Sequence, residues 1–315
     1  MLPAMTPRSD DLFGDPAAGE PATPGSYGRP PTGARLPDAA RLGAVRLQVV
    51  DVGRSLDFYE GLLGLRVLAR DDASVRLGAH GAEETLIELV EGPSARPAPR
   101  GRLGLFHVAV LLPDRASLGR LVRHLAEAGV RLGAGDHLVS EAFYLDDPDG
   151  LGLELYADRP RSAWVRLGRE LRMATDPVDA GDLLREAGDA PWRGMPGGTT
   201  VGHVHLHVGD LAAADAFYAE GLGFVRTVWS YPGALFLAAG GYHHHVGVNT
   251  WAGPHAEPAR EDEARLLAWT LRVPTDADVA TVERGLATAG HAAERHGDDL
   301  VARDPWGTTV RVRAR

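Results

Sequence analysis

The chain contains no cysteine. Disulfides, thiolate metal sites and a cysteine nucleophile are therefore excluded, and any metal ligands must come from His, Asp or Glu. Long hydrophobic runs are missing too. Nothing approaches the ~18–20 apolar residues that span a bilayer, and the N-terminus lacks the basic start and apolar run of a signal peptide. A cytoplasmic, membrane-free protein is expected. An excess of positive charge is also absent. The 33 Lys and Arg stand against 43 Asp and Glu, a formal net charge of −10, which argues against nucleic-acid or anionic-membrane partners. The remaining composition is that of a soluble globular chain, with 44% hydrophobic and 24% charged residues over a length of 315 that suits two domains.

What the chain does have is histidine in two concentrated stretches. Gly202-His203-Val204-His205-Leu206-His207-Val208 and Gly241-Tyr242-His243-His244-His245-Val246 hold six of the 13 histidines. Both read as β-strands, in which alternate residues share a face. Imidazoles lined along a strand make a poor hydrophobic core and a good place for a metal ion with a proton-transfer group beside it.

Residues 1–38 are rich in Pro, Gly, Ala and Asp without hydrophobic period, and are expected to form a disordered tail. Beyond them lies a weak internal repeat. Asp51 to Tyr59 corresponds to Asp210 to Tyr218, each after a strand and each with an Asp at a helix start and a Phe-Tyr pair. Two further copies are more degenerate, at about 103–158 and 265–315. They carry helices expected at Ser117 to Ala128 and Asp278 to Ala289, and the turns Asp147-Pro148-Asp149-Gly150 and Asp304-Pro305-Trp306-Gly307. Each copy reads β-α-β-β-β. The expected fold is α+β, four βαβββ modules forming two curved, cup-like mixed sheets. In chain order, 39–158 would be one domain (modules one and two), 159–200 a linker with a short helix at Ala180 to Ala187, and 201–315 a second domain (modules three and four).

These residues resemble the vicinal oxygen chelate superfamily, which includes glyoxalase I, bleomycin-resistance proteins and extradiol ring-cleaving dioxygenases. The resemblance covers about 43–315. It implies that a module's first strand can start with a metal-binding His and its last strand can carry a metal-binding Glu. His107 and His203 each stand seven residues before an Asp, Asp114 and Asp210; the same step reaches Ala44 in module one and Trp269 in module four. In the last strands, Glu154 follows Asp147 by the step that leads from Asp304 to Arg311. Glu88 in module one is expected to belong to a vestigial module. The implied metal set is His107, Glu154 and His203, two imidazoles and a carboxylate, which suits Fe(II) and oxygen chemistry, with Mn(II) or Zn(II) also compatible. Because the ligands lie in modules two and three, those modules are expected to pair around the metal, leaving one and four to pair with each other.

His244-His245-Val246-Gly247-Val248, together with Asp136-His137 and Tyr144, looks most like the catechol-2,3-dioxygenase branch. The resemblance implies ring cleavage of a catechol or substituted catechol by O₂. His245, taken to share a face with His243, is the expected acid/base, with His244 its nearest competitor, and Tyr144 the expected hydrogen-bond donor. His205 and His207 share the His203 face without matching a ligand position. His124, His255, His291 and His296 are expected at the surface. Homo-oligomers are common in the superfamily and compatible with this chain. Two other readings share the scaffold: a metal-dependent glyoxalase-type isomerase or lyase, and a non-catalytic ligand-binding protein. The intact triad argues against the latter.

Overall fold

The computed structural model describes Arg8, Leu12 and residues 19–315. Four βαβββ modules follow one another. Module one has β2 (Arg41–Val49), β3 (Arg66–Arg70), β4 (Ser74–Gly78) and β5 (Thr85–Glu91). Module two has β6 (Gly104–Leu111), β7 (Gly133–Asp136), β8 (Ser140–Asp146) and β9 (Gly152–Asp158). Module three has β12 (Thr200–His207), β13 (Val225–Val228), β14 (Ala234–Ala238) and β15 (Val246–Asn249). Module four has β16 (Arg265–Val273), β17 (Ala293–His296), β18 (Asp299–Arg303) and β19 (Thr309–Ala314).

A polar cap starts each module's helix. Asp51, Asp114 and Asp210 are in extended conformation and accept from the backbone N–H three residues on, at 2.7, 2.6 and 2.7 Å. In module four the cap is Thr275, reciprocated by Asp278. The helix therefore begins at Asp276, and the seven-residue step back from its cap reaches Ala268 rather than Trp269. Trp269 is fully buried in the core, so the residue on the cup face of module four is an alanine. In modules one and three the helix continues as a π-helix carrying the Phe-Tyr pair. Tyr59 donates to Asp147 of module two (3.0 Å) and Tyr218 to Asp304 of module four (2.8 Å). The two repeated motifs thus tie consecutive modules together.

The sheets do not follow the linear halves of the chain. One eight-stranded sheet has the order β13-β14-β15-β12-β6-β9-β8-β7, joining modules two and three. The other runs β17-β18-β19-β16-β2-β5-β4-β3, joining modules four and one. The 39–158 half therefore contributes one module to each sheet, the pairing that the ligand positions require. A single apolar cluster fills the space between the sheets and their helices, drawing Val204 and Leu206, Val108 and Val110, and Val45 and Leu47 from alternate strand positions.

Within 159–200 lie the strands β10 (Val165–Leu167) and β11 (Glu170–Leu171) and the helix Ala180–Ala187. The strand β1 (Glu20–Pro21) pairs with β10. The expectation of a disordered tail to residue 38 is corrected for 19–38: Ala22, Tyr27 and Leu36 are buried, and Tyr27 donates to the Gly241 carbonyl at 2.7 Å. A few well-spaced apolar residues anchor an extended segment without producing a hydrophobic period. The rest of the tail, apart from Arg8 and Leu12, lies outside the described residues. His124 and His291 are half-buried rather than at the surface, His124 against the Leu62 carbonyl (3.1 Å) and His291 against Phe217, whereas His255 and His296 are exposed.

Candidate metal centre

Strand alternation builds the centre. Along β12, Val204 and Leu206 face the core, so His203, His205 and His207 face the concave side; along β9, Leu153 and Leu155 face the core and Glu154 the concave side. The β6–β12 ladder is irregular twice. Its register shifts at Gly202 and again between His205 and Leu206, opposite Phe106. Such bulges re-aim side chains. Phe106 turns onto the rings of His107, His205 and His207 at 4.9, 5.1 and 4.7 Å.

His107, Glu154 and His203 meet, with ligand atoms all within 4.8 Å of one another. Nε2 of His107 and of His203 lie 2.9 and 3.2 Å from the same carboxylate atom, Glu154 Oε2. All three residues are at least 95% buried, at 5%, 2% and 1% exposure. His107 Nε2 has no hydrogen bond despite its burial, an orphan that a metal ion would satisfy. The module-three position equivalent to Glu154 is Gly247, which pairs with His205. Glycine has no ligand atom to offer, and a Cβ there would already crowd the His205 ring at 3.0 Å, so this position supplies no fourth ligand. The donor set fits a non-haem divalent metal.

His203 has no hydrogen bond at Nδ1, and packing orients its ring instead, against His244 at 4.0 Å and Tyr156 at 5.0 Å. Gly202 makes the Tyr156 contact possible, since a Cβ there would fall 1.8 Å from the Tyr156 hydroxyl. Gly202→Ala is therefore expected to destabilise the fold by about 1–3 kcal/mol through overpacking. Urea denaturation measures this, and an unchanged midpoint would refute it.

Residues 241–245 are a loop, and the strand begins only at Val246. Alternation therefore does not apply to His243, His244 and His245, so the expectation that His245 shares a strand face with His243 is corrected. Its Nδ1 accepts from the Ala239 N–H at 3.1 Å, and its ring lies 4.9 Å from Tyr242 and 6.3 Å from Phe224. His244 is the one stacked on His203. A relay stands behind it. His243 Nε2 lies 2.9 Å from Asp158 Oδ1 and must donate, because a carboxylate only accepts. In the neutral tautomer that donates at Nε2, His243 accepts at Nδ1 from His244 Nδ1–H, 2.6 Å away. That tautomer leaves His244 Nε2 with a free lone pair. Tyr242 also donates to Asp158 (3.2 Å) and is bonded to Tyr156 (2.8 Å).

Tyr144 sits 5.5 Å from His107, ring to ring. His137 Nδ1 donates to the Ala174 carbonyl (2.7 Å), so its Nε2 accepts the Tyr144 proton (2.5 Å). Leu138 beside it has φ of +67°, the sole non-glycine residue in the left-handed region among the described residues. Such strain persists only where surroundings impose it. Asn249, to which the sequence pattern assigns no role, bonds His205 (2.9 Å) and His207 (2.7 Å) and holds both rings. A cavity of about 720 Å³ adjoins the centre, with Phe106, His107, Tyr144 and His207 in its wall, a size that suits a small organic ligand.

Burial disfavours the protonated forms of His203, His205, His244 and His245. It lowers His203 to about 4 and His245 to about 3, and drives His205 and His244 well below the usual 6.5. For Glu154 burial acts the other way, but His203 and His107 beside it outweigh this and hold the carboxyl well below its usual range. Unfolded histidines protonate near 6.5 and these do not, so the unfolded state binds more protons across the interval between. Stability of the metal-free protein is therefore expected to fall as pH drops from about 6.5 to 4, by about 3 kcal/mol from His203 alone. Denaturation midpoints at pH 7 and 4.5 test this, and equal midpoints would contradict it.

The glyoxalase/bleomycin resistance protein/dioxygenase superfamily model matches residues 41–155. A catechol-2,3-dioxygenase of Bacillus subtilis is 45% identical over 269 residues, covering 84% of this chain and 93% of that protein. The chain belongs to this superfamily. Metapyrocatechase 2 of Cupriavidus necator is 34% identical over 124 residues, covering 38% of this chain and 36% of its own. Among solved structures, a putative dioxygenase of Bacillus subtilis has a TM-score of 0.61 at 16% identity, covering 89% of this chain and 86% of its own. Glyoxalase I of Zea mays has 0.53 at 17% identity, covering 87% and 92%. At these identities the structures speak for the superfamily's fold alone.

Proposed function

We propose that the protein is a metal-dependent extradiol dioxygenase that cleaves a catechol or substituted catechol with O₂, using Fe(II) held by His107, Glu154 and His203. The observation that carries the reading is the convergence of two buried imidazole Nε2 atoms on one Glu154 oxygen, with Gly247 supplying no fourth ligand. The 45% identity to a catechol-2,3-dioxygenase across most of both chains supports the same activity.

When bound, the metal supplies charge stabilisation for the catechol oxygens and access to redox chemistry with O₂. The protein's own groups do the rest. Phe106 and His207 wall the cavity that receives the ring. His244 Nε2, its lone pair set free by the Asp158–His243 relay, takes a proton from the substrate and returns it during cleavage. Tyr144 donates to His137 and stands beside His107, where its hydroxyl can turn to donate to a substrate oxygen instead. Burial of the triad keeps bulk water from the reacting centre. Among the described residues, no helix is long and apolar enough to cross a membrane.

The deciding experiment is anaerobic reconstitution with Fe(II), followed by oxygen uptake with a panel of catechols while a yellow ring-cleavage product is monitored. One O₂ consumed per product supports the reading. Bound iron without uptake would overturn it, and turnover with Zn, Ni or Co but no oxygen consumption would favour an isomerase or lyase.

A further inference from the structure

The second sheet has a cup of its own, and the metal-site positions can be followed into it strand by strand. In the first cup, Glu154 pairs with the residue two beyond His107, and Gly247 with the residue two beyond His203. The same pairings place Glu88 opposite Arg46 and Arg311 opposite Thr270. The four equivalent positions are therefore Ala44, Ala268, Glu88 and Arg311. Both histidine positions are alanines, one carboxylate remains, and an arginine takes the place of Gly247. No metal set survives, yet the cup is not filled with apolar side chains. It encloses a cavity of about 560 Å³.

Charge dominates its floor. One rung crosses four strands as Arg76, Glu88, Arg46 and Ala268. Glu88 thus lies between two arginines, with Arg46 Nε 3.4 Å from its carboxylate. Among the described residues Arg76 is in no ion pair within 4.0 Å. Arg311 has one long contact, 3.3 Å to Asp299, which Arg313 already engages. Its side chain is 40% exposed. Other acids at the rim are held by arginines: Glu84 by Arg41 (2.8 Å) and Arg272 (3.3 Å), and Glu83 by Arg66 (3.2 Å). The wall holds arginines and acids in equal number, and its remaining acid, Asp71, caps its own turn by accepting from the Ala73 and Ser74 N–H groups, so Arg76 and Arg311 are the guanidinium groups with the weakest carboxylate engagement. Arginine's planar fork matches carboxylate and phosphate oxygens two at a time. The alanines leave room above them.

We propose that this second cup binds a small carboxylate or phosphate anion, gripped by Arg76 and Arg311 above Glu88. The site is separate from the metal centre, which belongs to the other sheet, and does not depend on what the first cup catalyses.

Calorimetric titration of the full chain at about 0.15 M salt, where surface ion pairing is screened, tests it with two probes, citrate and inorganic phosphate. At least one should bind saturably at a single site with Kd below about 1 mM, and the tighter of the two identifies carboxylate or phosphate as the ligand class. Arg76→Ala and Arg311→Ala should each weaken binding by about tenfold or more. Ala268→Leu, which fills the floor without removing a charge, should abolish it. Arg311→Lys keeps the charge but not the fork, and should weaken binding less than Arg311→Ala. His203→Ala in the first cup should leave binding unchanged. The proposal falls if neither anion binds up to about 10 mM, if binding survives the Arg76 and Arg311 variants, or if His203→Ala removes it.

Discussion

Glu154→Gln is expected to strip the metal from the protein and lower kcat/KM by about 10³-fold or more. Glu154 is the only carboxylate in the triad, and burial lowers His203 to about 4, so that ligand is neutral near pH 7. Metal ligands must be deprotonated to bind, and with Gln the ion would lose its only anionic donor in a buried pocket where charge balance is costly to disturb. The volume is unchanged, so packing is kept. Metal content after dialysis and oxygen uptake are the readouts. A variant that retains one equivalent of iron and half its activity would remove Glu154 from the site.

His244→Gln is expected to lower kcat by about 10²–10⁴-fold, the usual range for loss of a general acid/base, with bound metal unchanged. His245→Gln should leave kcat within about threefold, because His245 is turned to the Ala239 amide and the Tyr242 ring. It should instead cost about 1–3 kcal/mol of stability, since a buried hydrogen bond and its packing are disturbed. Steady-state kinetics, iron content and urea denaturation on the two variants decide between them. The opposite pattern, a catalytic loss at His245 and a stability loss at His244, would reverse the assignment. With His243 Nε2 donating to Asp158, the neutral tautomer of His243 accepts from His244 at Nδ1 and leaves one lone pair free at the centre.

Much of the site was legible because its register is set by local chemistry. A polar side chain caps each module's helix, and the first strand starts ten residues before that cap in every module (41 to 51, 104 to 114, 200 to 210, 265 to 275), so a count from the cap finds the same cup-facing position in each. That count reached His107 and His203, and the turn before each last strand led in the same way to Glu154. It slipped by one at module four, where Thr275 caps the helix and an adjacent Asp276 imitates the motif. Alternation failed at His243 to His245 for a different reason. It holds only where a ladder holds the backbone extended, and the pairing of β15 begins after them, at Val246. The packed segment 19–38 was missed because scattered anchors leave no periodic trace.

By itself the sequence determined the repeat, the cap positions, the alternating core faces and therefore which residues could be ligands, since all of these follow from interactions within about ten residues. Only the tertiary structure decided that modules two and three share a sheet, that His244 rather than His245 meets His203, and that the positions lost in modules one and four became a charged cup. Those outcomes depend on strand pairing and loop direction between segments far apart in the chain. The same backbone step that holds a ligand histidine in one sheet holds an alanine in the other, and the partner strands determine what each position faces.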